Sequence, residues 1–245
     1  MAWQTPKMDW AAADGVRDTD FNRIEGNILE LYNEKVRESR IVYVSKSGND
    51  ETGTGTSSNP FYTITKALSA IPKDLNGLDM AVYISGGIYT ENVLIEGFSG
   101  GILTLTGTAA NVTVNSITVQ GCIVSCTSLP LVTTAAVGLI VAYGAVFITT
   151  GSIITQGAST GVNVSNGSTV HISGVITSSA TTAVSCSGNS NLYAGTITGT
   201  GTINASAGGV VAFDTSVLNR VTSSGGRINT GSQGAGGGLN PASVE

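Results

Sequence analysis

Acid–base and nucleophilic chemistry needs carboxylates, an imidazole or a thiolate held close together, and this chain is sparing with all three. Its one histidine is His171, and its three cysteines are Cys122, Cys126 and Cys186. From Gly97 through Phe213 there is no Asp, Glu, Lys or Arg. Hydrolysis of a glycosidic bond takes two carboxyl groups about 5 to 10 Å apart, and that stretch supplies none. Asp214 stands alone just beyond it. His171 alternates with Val170 and Ile172, and no acid in its own repeat could orient it as a base. The expectation is a ladder or solvent-facing histidine.

Acids do occur earlier. Asp50 and Glu51 sit in a Gly/Thr/Asn loop that admits a calcium reading, although such turns carry Asp for backbone reasons. Glu91 and Glu96 flank Asn92-Val-Leu-Ile95, and a spacing of five sets them on opposite faces of a strand. Asp74 and Asp79 read as parts of a solvated turn. The cysteines form an odd set without a CxxC pair, so they read as buried, reduced thiols rather than metal ligands. Neither Gly53-Thr-Gly-Thr56 nor Gly234-Ala-Gly-Gly-Gly238 leads into the Gly-Lys-Ser/Thr of a phosphate loop. Catalytic residues, a metal and a cofactor are all expected to be absent; the chain does not read as an enzyme.

Composition narrows the classes further. Charged residues are 11% of 245, against roughly 25% in an ordinary soluble domain. A net charge of −5 argues against nucleic-acid partners held through phosphates. No run of about 18 apolar residues exists to insert into a membrane. Met1-Ala-Trp-Gln-Thr-Pro-Lys7 lacks the features of a secretory signal, so folding in a cytoplasm is expected.

Residues 1–40 read as a lead followed by one helix. Asp18, Thr19 and Asp20 offer capping oxygens and complement the helix dipole. Phe21, Ile24, Ile28 and Leu31 form one apolar stripe, and Arg37 and Arg40 fall near the far end. Two heptads are too few to stand alone, so the stripe needs a partner. Ile41-Val-Tyr-Val-Ser45 reads as a strand. A loop through Pro60 follows, then a short helix over 61–71 stopped by Pro72, and a strand at Met80–Ile84.

The remainder repeats. Gly138–Gly151, Gly161–Gly174 and Ala183–Gly195 each give two alternating strands around a turn, followed by a short Ile/Val-rich strand. Ile203–Phe213 is a looser copy. A period of 20 to 23 residues suits a β-solenoid coil, in which each strand pairs with its counterpart one coil away. Stacking also explains the missing charges: equivalent side chains repeat at about 4.8 Å, where like charges repel and Thr, Ser and Asn do not. We therefore expect an all-β right-handed parallel β-helix over 41–230, an attachment segment over 1–40 and a Gly-rich tail over 231–245. The helix over 61–71 would cap one end of the solenoid, and the stretch from Leu218 to Ile228 would close the other.

Two segments carry resemblances. Ile41-Val-Tyr-Val-Ser-Lys-Ser-Gly-Asn-Asp50, with Gly53-Thr-Gly-Thr, Asn59-Pro-Phe, Thr63-Ile and Lys66-Ala-Leu, resembles the N-terminal cap of pectate-lyase-like right-handed β-helix proteins. That fold hosts lyases, hydrolases, adhesins and phage spikes alike. Trp3-Gln-Thr-Pro-Lys-Met-Asp-Trp10 followed by Asp20-Phe-Asn-Arg-Ile-Glu-Gly-Asn-Ile28 is similar to the leading segment of tail-associated proteins in phages and prophages of Gram-positive bacteria. The resemblance implies a non-catalytic virion component assembled in the bacterial cytoplasm. It implies attachment to other tail or baseplate proteins through Trp3, Pro6, Trp10, Phe21, Arg23, Ile24 and Ile28. Resemblance to fibres and spikes implies a homotrimer, and a cell-surface glycan is a candidate receptor. The rival readings are a tail-borne polysaccharide depolymerase with acids assembled between chains, a bacterial surface adhesin, and a decoration protein that binds no receptor.

Overall fold

The computed structural model describes residues 15, 17–33, 40–108, 111–157, 159–216 and 221–230. Its body is a right-handed parallel β-helix of about six turns, accompanied by two helices. Helix α1 spans Asp18–Asn33. The Asp20 and Phe21 amides donate to the Arg17 carbonyl, and the Asp20 carboxylate accepts the Arg17 N–H at 3.1 Å. That is the return arm of a capping box. Arg40 does not belong to a helix end, as its charge suggested. It opens strand β1 (Arg40–Val44), because Ile41, Val42 and Tyr43 are β-formers that pair in parallel with the next strand.

Each coil has three faces. The first coil holds β2 (Met80–Ile84), β3 (Gly87–Ile88) and β4 (Asn92–Glu96), and the second β5 (Leu103–Gly107), β6 (Val112–Val114) and β7 (Ser116–Gln120). Next come β8 (Ile123–Thr127), β9 (Leu131–Thr133) and β10 (Val137–Ala142), then β11 (Val146–Thr149), β12 (Ile153–Thr155) and β13 (Thr160–Val164). Higher up, the first two faces merge into long bent strands: β14 (Thr169–Ser178) precedes β15 (Thr182–Cys186), and β16 (Asn191–Gly199) precedes β17 (Thr202–Ser206). The last rungs are β18 (Val210–Ser216), β19 (Val221–Ser224) and β20 (Arg227–Thr230).

Alternation fills the core. The inward ladder runs Met80, Leu103, Val124, Phe147, Val170, Leu192, Val211, each buried, and ends at the partly buried Ile228. Its steps are 21 to 23 residues as far as Leu192, then 19 and 17, so the coils shorten below the period read from sequence. Full burial of each such side chain contributes about 1.5–3 kcal/mol. At the corner entering the first face, Tyr143-Gly144, Asn166-Gly167, Gly188-Asn189 and Ala207-Gly208 all have positive φ at both residues. In a hairpin this pair reverses the chain; here it turns the chain into the next coil. The corners stack as well, with Gly144 N–H donating to the Asn166 carbonyl and Gly167 N–H to the Gly188 carbonyl, both at 2.9 Å.

The cap helix is shorter than its apolar spacing suggested. Helix α2 covers Ile64–Ser69, and Phe61 and Ile71 are buried on either side of it. Of the stretch expected to close the other end, residues 218–220 lie outside the described residues, and the rest continues the solenoid. Val221–Ser224 and Arg227–Thr230 extend the two sheets as further parallel rungs, because their alternation still matches the coil beneath.

Candidate binding groove

The acids of the N-terminal part serve the fold. The Asp50 carboxylate accepts the amides of Tyr62 (2.8 Å) and Thr63 (3.0 Å) and the Thr63 hydroxyl (2.7 Å). Partial burial raises its pKa, but these bonds and the charge of Lys66 outweigh that and hold Asp50 below the usual carboxylate value. Glu91 accepts the Ile64 and Thr65 amides and the Thr65 hydroxyl (3.1, 2.9 and 2.7 Å), while the Thr63 hydroxyl oxygen accepts the Lys66 amide. Glu91 thus satisfies the first free amides of α2 and locks it to the first coil, while Asp50 fixes the N-cap Thr63 in place. Neither a calcium ligand set nor an acid pair is built from them. Lys73 reaches the backbone carbonyl of Glu96 (2.8 Å), Asp74 accepts the Asn76 amide, and Asp79 accepts the Ile102 amide. Glu51 is exposed.

The thiols are buried and free. Burial raises Cys122, and it pushes Cys126 to about 12 and Cys186 to about 11. Such thiols act as small apolar residues. Among the described residues no group of three His, Cys, Asp or Glu side chains is placed to hold a metal ion.

Trp3, Pro6 and Trp10 lie outside the described residues. Phe21 (57% exposed), Ile24 and Ile28 fall together on one open face of α1. Arg23 lies on the other side, 3.6 Å from the buried Asp20 carboxylate.

What sequence reasoning left scattered, the stacking brings together. Along the outward face of the first sheet, Ile148, His171, Tyr193, Ala212 and Asn229 are successive rungs of one ladder. Between Ile172 and Val175 the register of β14 against β16 shifts, so Ser173 and Gly174 oppose the single residue Gly195. This is a β-bulge, a device that re-aims side chains and bends the strand. Gly195 is required there, since a Cβ would sit 2.8 Å from the Ser173 carbonyl oxygen. One rung higher, at the same position, stands Asp214.

The result is a groove of about 380 Å³ lined by His171, Ser173, Tyr193, Gly195, Asp214 and Asn229, floored by Ile172, Ala194 and Phe213. Ala212 and Gly195 leave its middle open. Tyr193 is 45% exposed, and its ring forms a T-shaped pair with His171, with centroids 6.3 Å apart and planes at 87°. No hydrogen bond or ion pair joins His171, Ser173 and Asp214 to one another among the described residues. The groove therefore holds one carboxylate and one imidazole without a relay between them. The signal was available in principle: laying the coils in register sets Tyr193 on His171, and Asp214 two residues past Ala212. No protein-family model, curated protein or solved structure matches the chain.

Proposed function

We propose that this chain is a non-catalytic structural component of a bacteriophage-like tail. Residues 1–40 fasten it to a neighbouring tail or baseplate protein, and the β-helix projects from that attachment as a stiff rod whose groove meets the host surface. Three copies associate in parallel, their α1 stripes meeting on one axis. The observation that carries this reading is the contrast between the open apolar face of Phe21, Ile24 and Ile28 and coils that from Gly97 through Phe213 hold no Asp, Glu, Lys or Arg. The first needs a partner; the second lacks the paired acids that cleavage of a polysaccharide requires.

The test uses the full chain as bait against disassembled tails, with Phe21→Ser/Ile24→Ser/Ile28→Ser as its counterpart. The expected outcome is a trimeric mass and retention of a tail or baseplate protein by the parent alone. Equal retention by both forms, or none by either, overturns the reading. A second reading, a depolymerase completed between chains, draws on the Asp214 carboxylate in the groove, which has no partner among the described residues. Release of new reducing ends from host wall polymer, abolished in Asp214→Asn, would establish it instead.

A further inference from the structure

We infer that the groove around Tyr193 binds a neutral saccharide, one or two pyranose rings in size. The inference rests on the binding role proposed above and adds the ligand's chemistry. The half-exposed Tyr193 ring, in a T-shaped pair with His171, offers a flat apolar platform whose electron-rich face suits the C–H face of a sugar. Around it stand groups with complementary hydrogen-bonding capacity. Asp214 accepts only, Asn229 donates and accepts, and the Ser173 hydroxyl and the His171 ring can do either. Hydroxyl groups on adjacent ring carbons, which both donate and accept, fit that set.

Charge tells against the anionic classes. Among the described residues no Lys or Arg lines the groove, and the one formal charge in that lining is the Asp214 carboxylate. A uronic acid or a phosphate-bearing polymer would place like charge beside it in a partly desolvated site. The volume of about 380 Å³ lies at the small end of the range for small-ligand sites, roughly 300–1,000 Å³. Concavity comes from the bulge and from Gly195 and Ala212, so the site is built into the backbone and exists before the ligand arrives.

The experiment is saturation-transfer NMR on the full chain with disaccharides of neutral hexose and N-acetylhexosamine, one uronic-acid disaccharide and one free amino-sugar disaccharide. At least one neutral disaccharide is expected to bind, and Tyr193→Ala to weaken it about tenfold or more. Tyr143→Ala, an exposed tyrosine outside the groove lining, should leave binding unchanged. Asp214→Asn should newly admit the uronic disaccharide. Silence towards every neutral probe, binding indifferent to Tyr193→Ala, or a parent preference for the uronic or amino sugar overturns the inference. The bait experiment on the α1 stripe is independent of these variants. A silent sugar panel with tail capture intact sinks the ligand assignment alone; sugar binding without capture sinks the tail reading alone.

Discussion

The cap and the body of this rod are stabilised in opposite ways. Around α2, charge is used freely and each time once: Asp50 holds the N-cap Thr63, Glu91 holds the first helix amides, and the Lys46 ammonium lies 3.7 Å from the Tyr62 ring centroid and 4.5 Å from that of Tyr89. Lys73 likewise covers Phe98 at 3.8 Å. From Gly97 to Phe213 charge is absent and the polar work passes to ladders of Thr, Ser and Asn. Thr198 donates to Thr177 at 3.2 Å, and buried Thr155 donates to Ser178 at 2.8 Å. Repetition accounts for the difference. A charged residue in a cap meets one chosen partner, whereas the same residue in a coil invites a copy of itself about 4.8 Å above and below.

The comparison breaks most sharply at Glu91. Glu91→Ala leaves two helix amides and a hydroxyl without their acceptor, and is expected to cost about 2 kcal/mol. Glu96→Ala, whose carbonyl rather than carboxylate is used by Lys73, should change stability little. Denaturant midpoints read both. Equal losses would mean that the cap relies on general charge rather than on its placed acceptors.

A smaller effect is expected from giving the body what the cap has. Asn163, Ser185 and Asn204 are consecutive outward rungs of one ladder. Each single change to Asp should be nearly neutral. The triple variant should lose about 0.4–2 kcal/mol beyond the sum of the singles, from two like-charged neighbour pairs at about 0.2–1 kcal/mol each. High salt or acid should restore it. Additivity in the triple variant would remove repetition as the reason for the missing charges.

The smallest effect is in the acid limb. Asp50 has a folded pKa below its ordinary 3.8, so its contribution is present above that value and fades as pH falls through the lower folded one. Asp50→Asn should therefore show a lower melting temperature than the parent near neutral pH, with the gap closing below pH 3.8. A gap independent of pH would mean that the hydrogen bonds survive without the charge.

Sequence alone was enough for the architecture, because a coil repeat writes the same constraint many times. Alternation, glycine at corners and the charge-free run over residues 97–213 each follow from strands stacking on copies of themselves. The cap signature at Asn59-Pro-Phe and Thr63-Ile also led to α2, although its apolar spacing overstated the helix length. What only the tertiary structure decided are the features that occur once. Glu91 lies 27 residues beyond the Ile64 amide it accepts, the terminal coils shorten to 19 and 17 residues, and the bulge at Ser173-Gly174 has no periodic trace. His171, Tyr193, Asp214 and Asn229 come from four successive coils and share no local pattern. Their meeting depends on register, which the hydrogen bonds between rungs set and which spacing along the chain expresses only through the fold.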